Sequence, residues 1–176
     1  MKIVLYILFS LFLVWKSQSA QDHYWRDWNG TLPWDAFVAG NDSRGNIYVA
    51  QAYLLKTGLY SGYIIGANRS IQINPTLSNG PLRSSDVIKI LCVKPGDNTF
   101  YWLTANTTLT PTLVKYTPVV KGGVAFNNNT VYVARYVVND KVYVGSVHTD
   151  YYAYYVDDAN TPKYTNTYQL LIYALD

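Results

Sequence analysis

One block of this chain is written twice. The run Ala39-Gly40-Asn41-Asp42-Ser43-Arg44-Gly45-Asn46-Ile47-Tyr48-Val49-Ala50 returns as Val124-Ala125-Phe126-Asn127-Asn128-Asn129-Thr130-Val131-Tyr132-Val133-Ala134. Tyr48 maps to Tyr132, 84 residues on, and Gly62 maps to Gly145, 83 residues on. A repeat of that length describes two copies of one supersecondary unit, neither able to bury its apolar face alone. Each copy has about seventy residues, marginal for a separate domain. The boundary between them, Pro95-Gly96-Asp97-Asn98, is too short for a flexible linker. The expectation is a single β domain over residues 20–176, built from two repeats at about 24–94 and 100–175. Such a duplication yields two similar binding hollows more readily than one asymmetric catalytic constellation.

The local pattern is β throughout. Asn46 to Leu55 alternates, with Ile47, Val49 and Gln51 set against Tyr48, Ala50 and Ala52. Tyr60 to Ile65 is a second strand, in which Gly62 marks a bulge or a close backbone approach. Asp86 to Val93 is nearly continuously apolar, as a strand buried on both faces is. Val131 to Val138, Lys141 to His148, Tyr151 to Val156 and Thr167 to Leu175 follow, with Asn139-Asp140 as a short hairpin turn. All eleven acidic residues are Asp, which favours turns and caps over helix interiors. No segment after the leader has sustained helical periodicity. The fold class is all-β.

Residues 1–19 have the pattern of a cleaved signal peptide. Lys2 precedes an apolar run from Ile3 to Trp15, and Ser17 and Ser19 supply small residues before a cut at Ala20. Removing Lys2 and Lys16 leaves 12 basic residues against 11 acidic ones. A chain so nearly neutral, with no basic cluster, is not built for electrostatic capture of nucleic acid or anionic membrane. The mature chain is expected to be secreted, with no membrane span. Five sequons, at Asn29, Asn41, Asn68, Asn106 and Asn128, fit that destination as N-glycosylation sites. Cys92 is the sole cysteine, so no intrachain disulfide forms. A buried thiol in an apolar strand and an intermolecular disulfide are both compatible with its setting.

At Ala39-Gly40-x-Asp42-x-x-Gly45-x-Ile47-Tyr48-Val49-Ala50-x-Ala52 the chain resembles the DM-nine repeat family. Trp34-Asp35-Ala36, Gly62, Val131-Tyr132-Val133-Ala134-Arg135 and Ala153-Tyr154 add to the resemblance. That family includes secreted insect proteins, mannose-binding lectins of bivalves and the lectin-like module of natterin-type toxins. The resemblance implies two intertwined antiparallel β repeats with pseudo-two-fold symmetry, sandwich-like in form. It also implies a sugar held by an Asp in the Ala-Gly-x-Asp turn and a Lys beside the later Gly. Asp42 matches that Asp, and in the second copy the position falls on Phe126 or Asn127. The Lys position carries Tyr63 in the first copy and Ser146 in the second, and the family's Gly-Gly-x-Glu-His stretch is absent.

The candidate carbohydrate-binding residues are therefore Asp42, Tyr63 and Asn127. A carboxylate accepts hydrogen bonds from vicinal hydroxyls, and aromatic faces pack on pyranose rings. Beside this stands a plainer role: Asp42 as a turn residue, and the tyrosines as core with polar tips at the rim. Tyr151-Tyr152-Ala153-Tyr154-Tyr155 sends aromatics to both faces of a strand, and Asp157-Asp158 after it is expected in a polar loop. His23 and His148 are the only histidines and lack metal-ligand spacing. No phosphate loop or nucleophile elbow occurs, so no metal, cofactor or enzymatic activity is expected. The function expected is lectin-like recognition of mannose-type surface glycans or glycoproteins in defence or secretion, with a homodimer possible. The alternative is a structural or protein-interaction module on the same scaffold, its sugar site lost.

Overall fold

The computed structural model describes residues 23–66, 71–74, 82–84, 87–94, 96 and 99–174. The expected signal peptide, Asn68, Pro95, Asp97, Asn98 and Leu175 lie outside the described residues. Those residues form mostly antiparallel β-sheet that does not close into a barrel, with one short helix. No helix among them is long and apolar enough to cross a membrane.

The first half supplies β1 (His23–Asp27), β2 (Val38–Asp42), β3 (Gly45–Leu54), β4 (Gly58–Ile65), β5 (Ile71–Ile73), β6 (Leu82–Ser84) and β7 (Ile88–Val93). The second supplies β8 (Phe100–Asn106), α1 (Thr110–Tyr116), β9 (Lys121–Ala125), β10 (Thr130–Val138) and β11 (Lys141–Val147). It ends with β12 (Ala153–Val156), β13 (Pro162–Thr165) and β14 (Thr167–Tyr173). In the first half β3 lies between β4 and β7, with β1 on β7 and β5 on β4. In the second half β10 pairs β11 and β14, with β8 on β14 and β12 on β11. Ala50 sits opposite Gly62, and Ala134 opposite Gly145. Trp25 faces Leu91, and Trp102 faces Leu171.

Local chemistry explains these elements. Asn139 and Asp140 both take positive φ, 49° and 58°, which is what the tight turn between β10 and β11 requires. Gly62 and Gly145 sit where a neighbouring strand's backbone presses in. A Cβ at Gly62 would collide with the Gln72 carbonyl oxygen, and one at Gly145 with that of Tyr154. The close approach expected at Gly62 is therefore real. Helix α1 has no counterpart in the sequence pattern, because seven residues are too few to show a period. Pro111 sits in its first turn, where a missing N–H costs nothing. Buried Thr110 and the Tyr168 hydroxyl share a hydrogen bond of 2.7 Å that fixes it to β14.

Three apolar clusters follow from this order. Ala50, Ala52, Ile64, Ile88 and Ile90 pack within the first half, joined by Val131. Ala134, Val147, Ala153, Leu170 and Ile172 pack within the second. Between them lies a cluster drawn from both: Ile47, Val49 and Tyr63 against Val133, Val144 and Leu171. Strand β3 thus buries both faces. Each large side chain in such a cluster contributes about 1.5–3 kcal/mol relative to exposure, so the shared cluster outweighs any single polar tie. Polar ties still set the register. At the crossing of β4 and β11 the buried Ser61 and Ser146 hydroxyls lie 3.0 Å apart, and each also donates to the other strand's backbone.

The glycine contacts generate a test. Gly62→Ala or Gly145→Ala drives a methyl into a backbone carbonyl and is expected to cost about 3 kcal/mol or more in urea unfolding. Gly66→Ala, at φ +51° in open space, is expected to cost only about 1 kcal/mol. Equal, small losses at all three positions would contradict the close strand approach.

Candidate functional site

The Ala-Gly-x-Asp turn is the best-defined polar site, and it faces inward. Asp42 ends β2 and opens the turn into β3, which Gly45 completes at φ +101°. Asp42 Oδ1 accepts the Arg44 N–H at 2.8 Å, closing an Asx turn. Its Oδ2 accepts from Arg44 Nη2 at 2.6 Å and from the Val142 N–H of β11 at 2.9 Å. The Asp42 side chain has 0% exposure. The Arg44 hydrogen bonds above all hold its carboxyl well below the usual carboxylate range, against the opposing effect of burial.

Arg44 is the hub that sequence reasoning missed. Its Nη2 donates to the Val142 carbonyl at 2.7 Å, so Val142 is gripped through both backbone groups. Its Nη1 reaches Asp158, which also pairs with Lys141. The guanidinium lies 4.9 Å from the Tyr143 ring centroid and 5.8 Å from that of Tyr63. The rest of the motif docks on the same side. Arg135 Nη1 donates to the Ala39 carbonyl at 2.5 Å. A Cβ on Gly40 would come within 2.9 Å of the Val142 side chain. Two carboxylates and two cations thus form a neutral clasp between the β2–β3 turn and β11, with neither oxygen of Asp42 open to solvent.

The other candidates lie elsewhere in the architecture. Tyr63 is 2% exposed, and its hydroxyl donates to the Val156 carbonyl at 3.1 Å. Burial pushes its phenol up from the ordinary value. It meets Asp42 only through Arg44. Asn127 is exposed in the β9–β10 turn, where its Oδ1 accepts the Asn129 N–H at 3.3 Å. That turn adjoins Gly58, whereas Asp42 pairs with Gly45, so the β3–β4 hairpin separates them by roughly 30 Å at 3.3 Å per residue. Asn29, Asn41, Asn106 and Asn128 are all exposed, as glycan acceptors must be. Asp157 and Asp158 lie in the loop after β12, as expected, but Asp158 belongs to the clasp.

Two buried groups complete the chemistry. Cys92 is free and 0% exposed, and burial, then the Asp35 carboxylate, pushes its thiol up to about 12. A thiol held that high stays protonated and unreactive. His148 lies between Tyr60, at 5.4 Å between ring centroids, and Tyr154, at 4.8 Å. Burial pushes it down to about 4, with Asp150 opposing weakly, and its Nε2 has no hydrogen-bond partner. Among the described residues no three His, Cys, Asp or Glu side chains are grouped to hold a metal ion.

The clasp predicts a stability effect. Asp42→Ala leaves Arg44 and the Val142 N–H without their buried partner and is expected to cost about 3 kcal/mol, or roughly 6–12 °C in Tm. Asp42→Asn, which keeps an acceptor, should recover part of this. Lys141→Ala, at a solvent-screened pair, should leave the urea midpoint nearly unchanged. His148 sets a separate pH window. Its folded value lies below the unfolded value near 6.5, so its stabilising effect is complete above that pH. Stability then falls by up to about 3 kcal/mol as pH drops to about 4. Urea midpoints for His148→Phe should be flat across that window; an unchanged slope would assign it to other groups. Compared with protein-family models and with curated proteins, the chain matches none.

Proposed function

We propose that this chain is a secreted, non-enzymatic recognition module. Two sister β units related by a pseudo-two-fold axis share its core, and its contacts are made with a protein partner rather than with sugar at the Ala-Gly-x-Asp turn. The observation that carries this reading is the position of Asp42. A carboxylate with 0% exposure, already accepting from Arg44 and Val142, has no lone pair to offer a vicinal diol. The resemblance to the lectins of the DM-nine repeat family is then a likeness of scaffold. The matching pairings of Ala50 with Gly62 and Ala134 with Gly145 support the duplicated architecture.

A lectin-like second reading has one observation in its favour. Tyr164 is 55% exposed on β13 opposite Tyr154, and Tyr152 packs on it edge-to-face at 5.5 Å. Asp150 accepts from the Tyr154 hydroxyl at 2.5 Å, so aromatic faces and a carboxylate lie together near the sheet edge. Such a platform suits a pyranose face.

A glycan array probed with the mature chain, Asp42→Ala and Tyr164→Ala separates these readings. Blank arrays, with a captured extracellular protein that free mannose does not displace, are the expected result. Mannose-type binding lost in Asp42→Ala while the fold persists would overturn the first reading. Binding lost only in Tyr164→Ala would establish the second.

A further inference from the structure

One sheet face is left open at the far end of the β3–β4 hairpin. Tyr53 pairs with Leu59, Leu59 with Val124, and Val124 with Thr130, so these residues form one row across β3, β4, β9 and β10. The β3–β7 register, Ala52 opposite Ile88, extends that row to Val87. Further along β3, Gln51 and Ser61 pair in a parallel row that β11 covers through Ser146. Beyond that cover the surface is apolar. Val87 is 70% exposed, Tyr53 54% and Val124 44%, and Leu55 and Phe126 at the adjoining turns reach 77% and 79%. The two turns are tied together, since the Phe126 N–H donates to the Thr57 carbonyl at 2.9 Å.

Val87 adds an independent mark. Its φ is +45°, a left-handed conformation that a β-branched residue adopts only under strain. The strained backbone holds this apolar side chain at the surface.

We infer that this Tyr53–Leu59–Val124 face, with Leu55, Val87 and Phe126, is a two-fold contact between copies of this chain. The five exposed side chains present roughly 500–600 Å² of apolar area, the upper end of what a monomer leaves open. With a polar rim this approaches the ~800 Å² per partner of a standard interface. Charge selects the occupant. A lipid surface calls for cations around an apolar centre, but the next row carries Asp27, its side chain 83% exposed, paired with Lys89 at 2.8 Å. Exposed Lys56 in the β3–β4 turn adds a second cation, so the rim carries both signs, which a two-fold contact can set against each other. This inference stands apart from the reading above, because a dimer serves a protein-binding or a sugar-binding module equally.

The test is sedimentation equilibrium on the secreted chain, with N-glycans retained and after their enzymatic removal, since Asn128 lies at the rim. Leu55→Asp and Phe126→Asp change exposed side chains, and circular dichroism checks that both variants fold. A concentration-dependent dimer in either glycoform is expected, its dissociation constant raised at least about tenfold in each variant. A monomer at about 100 µM in both glycoforms would overturn the inference. So would a dimer that neither substitution weakens, or flotation with phosphatidylcholine–phosphatidylserine vesicles, lost in Phe126→Asp, by a chain that stays monomeric.

Discussion

A buried carboxylate must be met by donors, and in this molecule that requirement joins the two halves. Asp42 turns its side chain away from water, so the β2–β3 turn is fixed only where the Val142 N–H and Arg44 can reach it. Arg44 returns a hydrogen bond to the Val142 carbonyl and carries the contact on to Asp158. Gly40 and the Ala39 carbonyl complete the docked surface against Val142 and Arg135. A motif that reads as a ligand turn therefore works as an internal clasp. The geometry also orients β2 across β11 and covers the shared cluster of Ile47, Val49 and Val144.

The division of the apolar interior between two halves explains why the clasp is needed. Each half has its own apolar cluster on one face, and the opposite faces meet in a third. Apolar burial supplies most of the stabilisation but is non-directional and does not by itself fix the angle at which the two halves cross. The Ser61–Ser146 crossing, the Tyr63 hydroxyl on Val156 and the Asn74 amide on the Tyr155 and Lys163 carbonyls remove that freedom. All of them join residues more than eighty positions apart.

The sequence made the local structure legible for the same reason that it hid the site. Strands β3, β4, β10 and β11 fall where alternation and turn residues place them, because those signals act over a few neighbours. Gly62 announced a close approach through its lack of a side chain. Asp42 offered two local roles, turn former and ligand, and nothing nearby chose between them. Its decisive partner, Val142, lies 100 residues away and acts through a backbone N–H, which leaves no mark in side-chain identity. Arg44 was visible two residues on, yet its pairing with Asp158 spans 114 positions. Helix α1 escaped because one short turn with a proline resembles a loop.

The Asp42 carboxylate is sealed inside the molecule and hydrogen-bonded there. Carbon-detected NMR titration of the Asp42 side-chain carboxyl tests it most directly. An ionised carboxylate that holds its chemical shift well below an ordinary aspartate midpoint of about 3.9 is the expected result. A midpoint near that ordinary value would mean a solvated turn residue, free to meet a ligand, and would contradict the account.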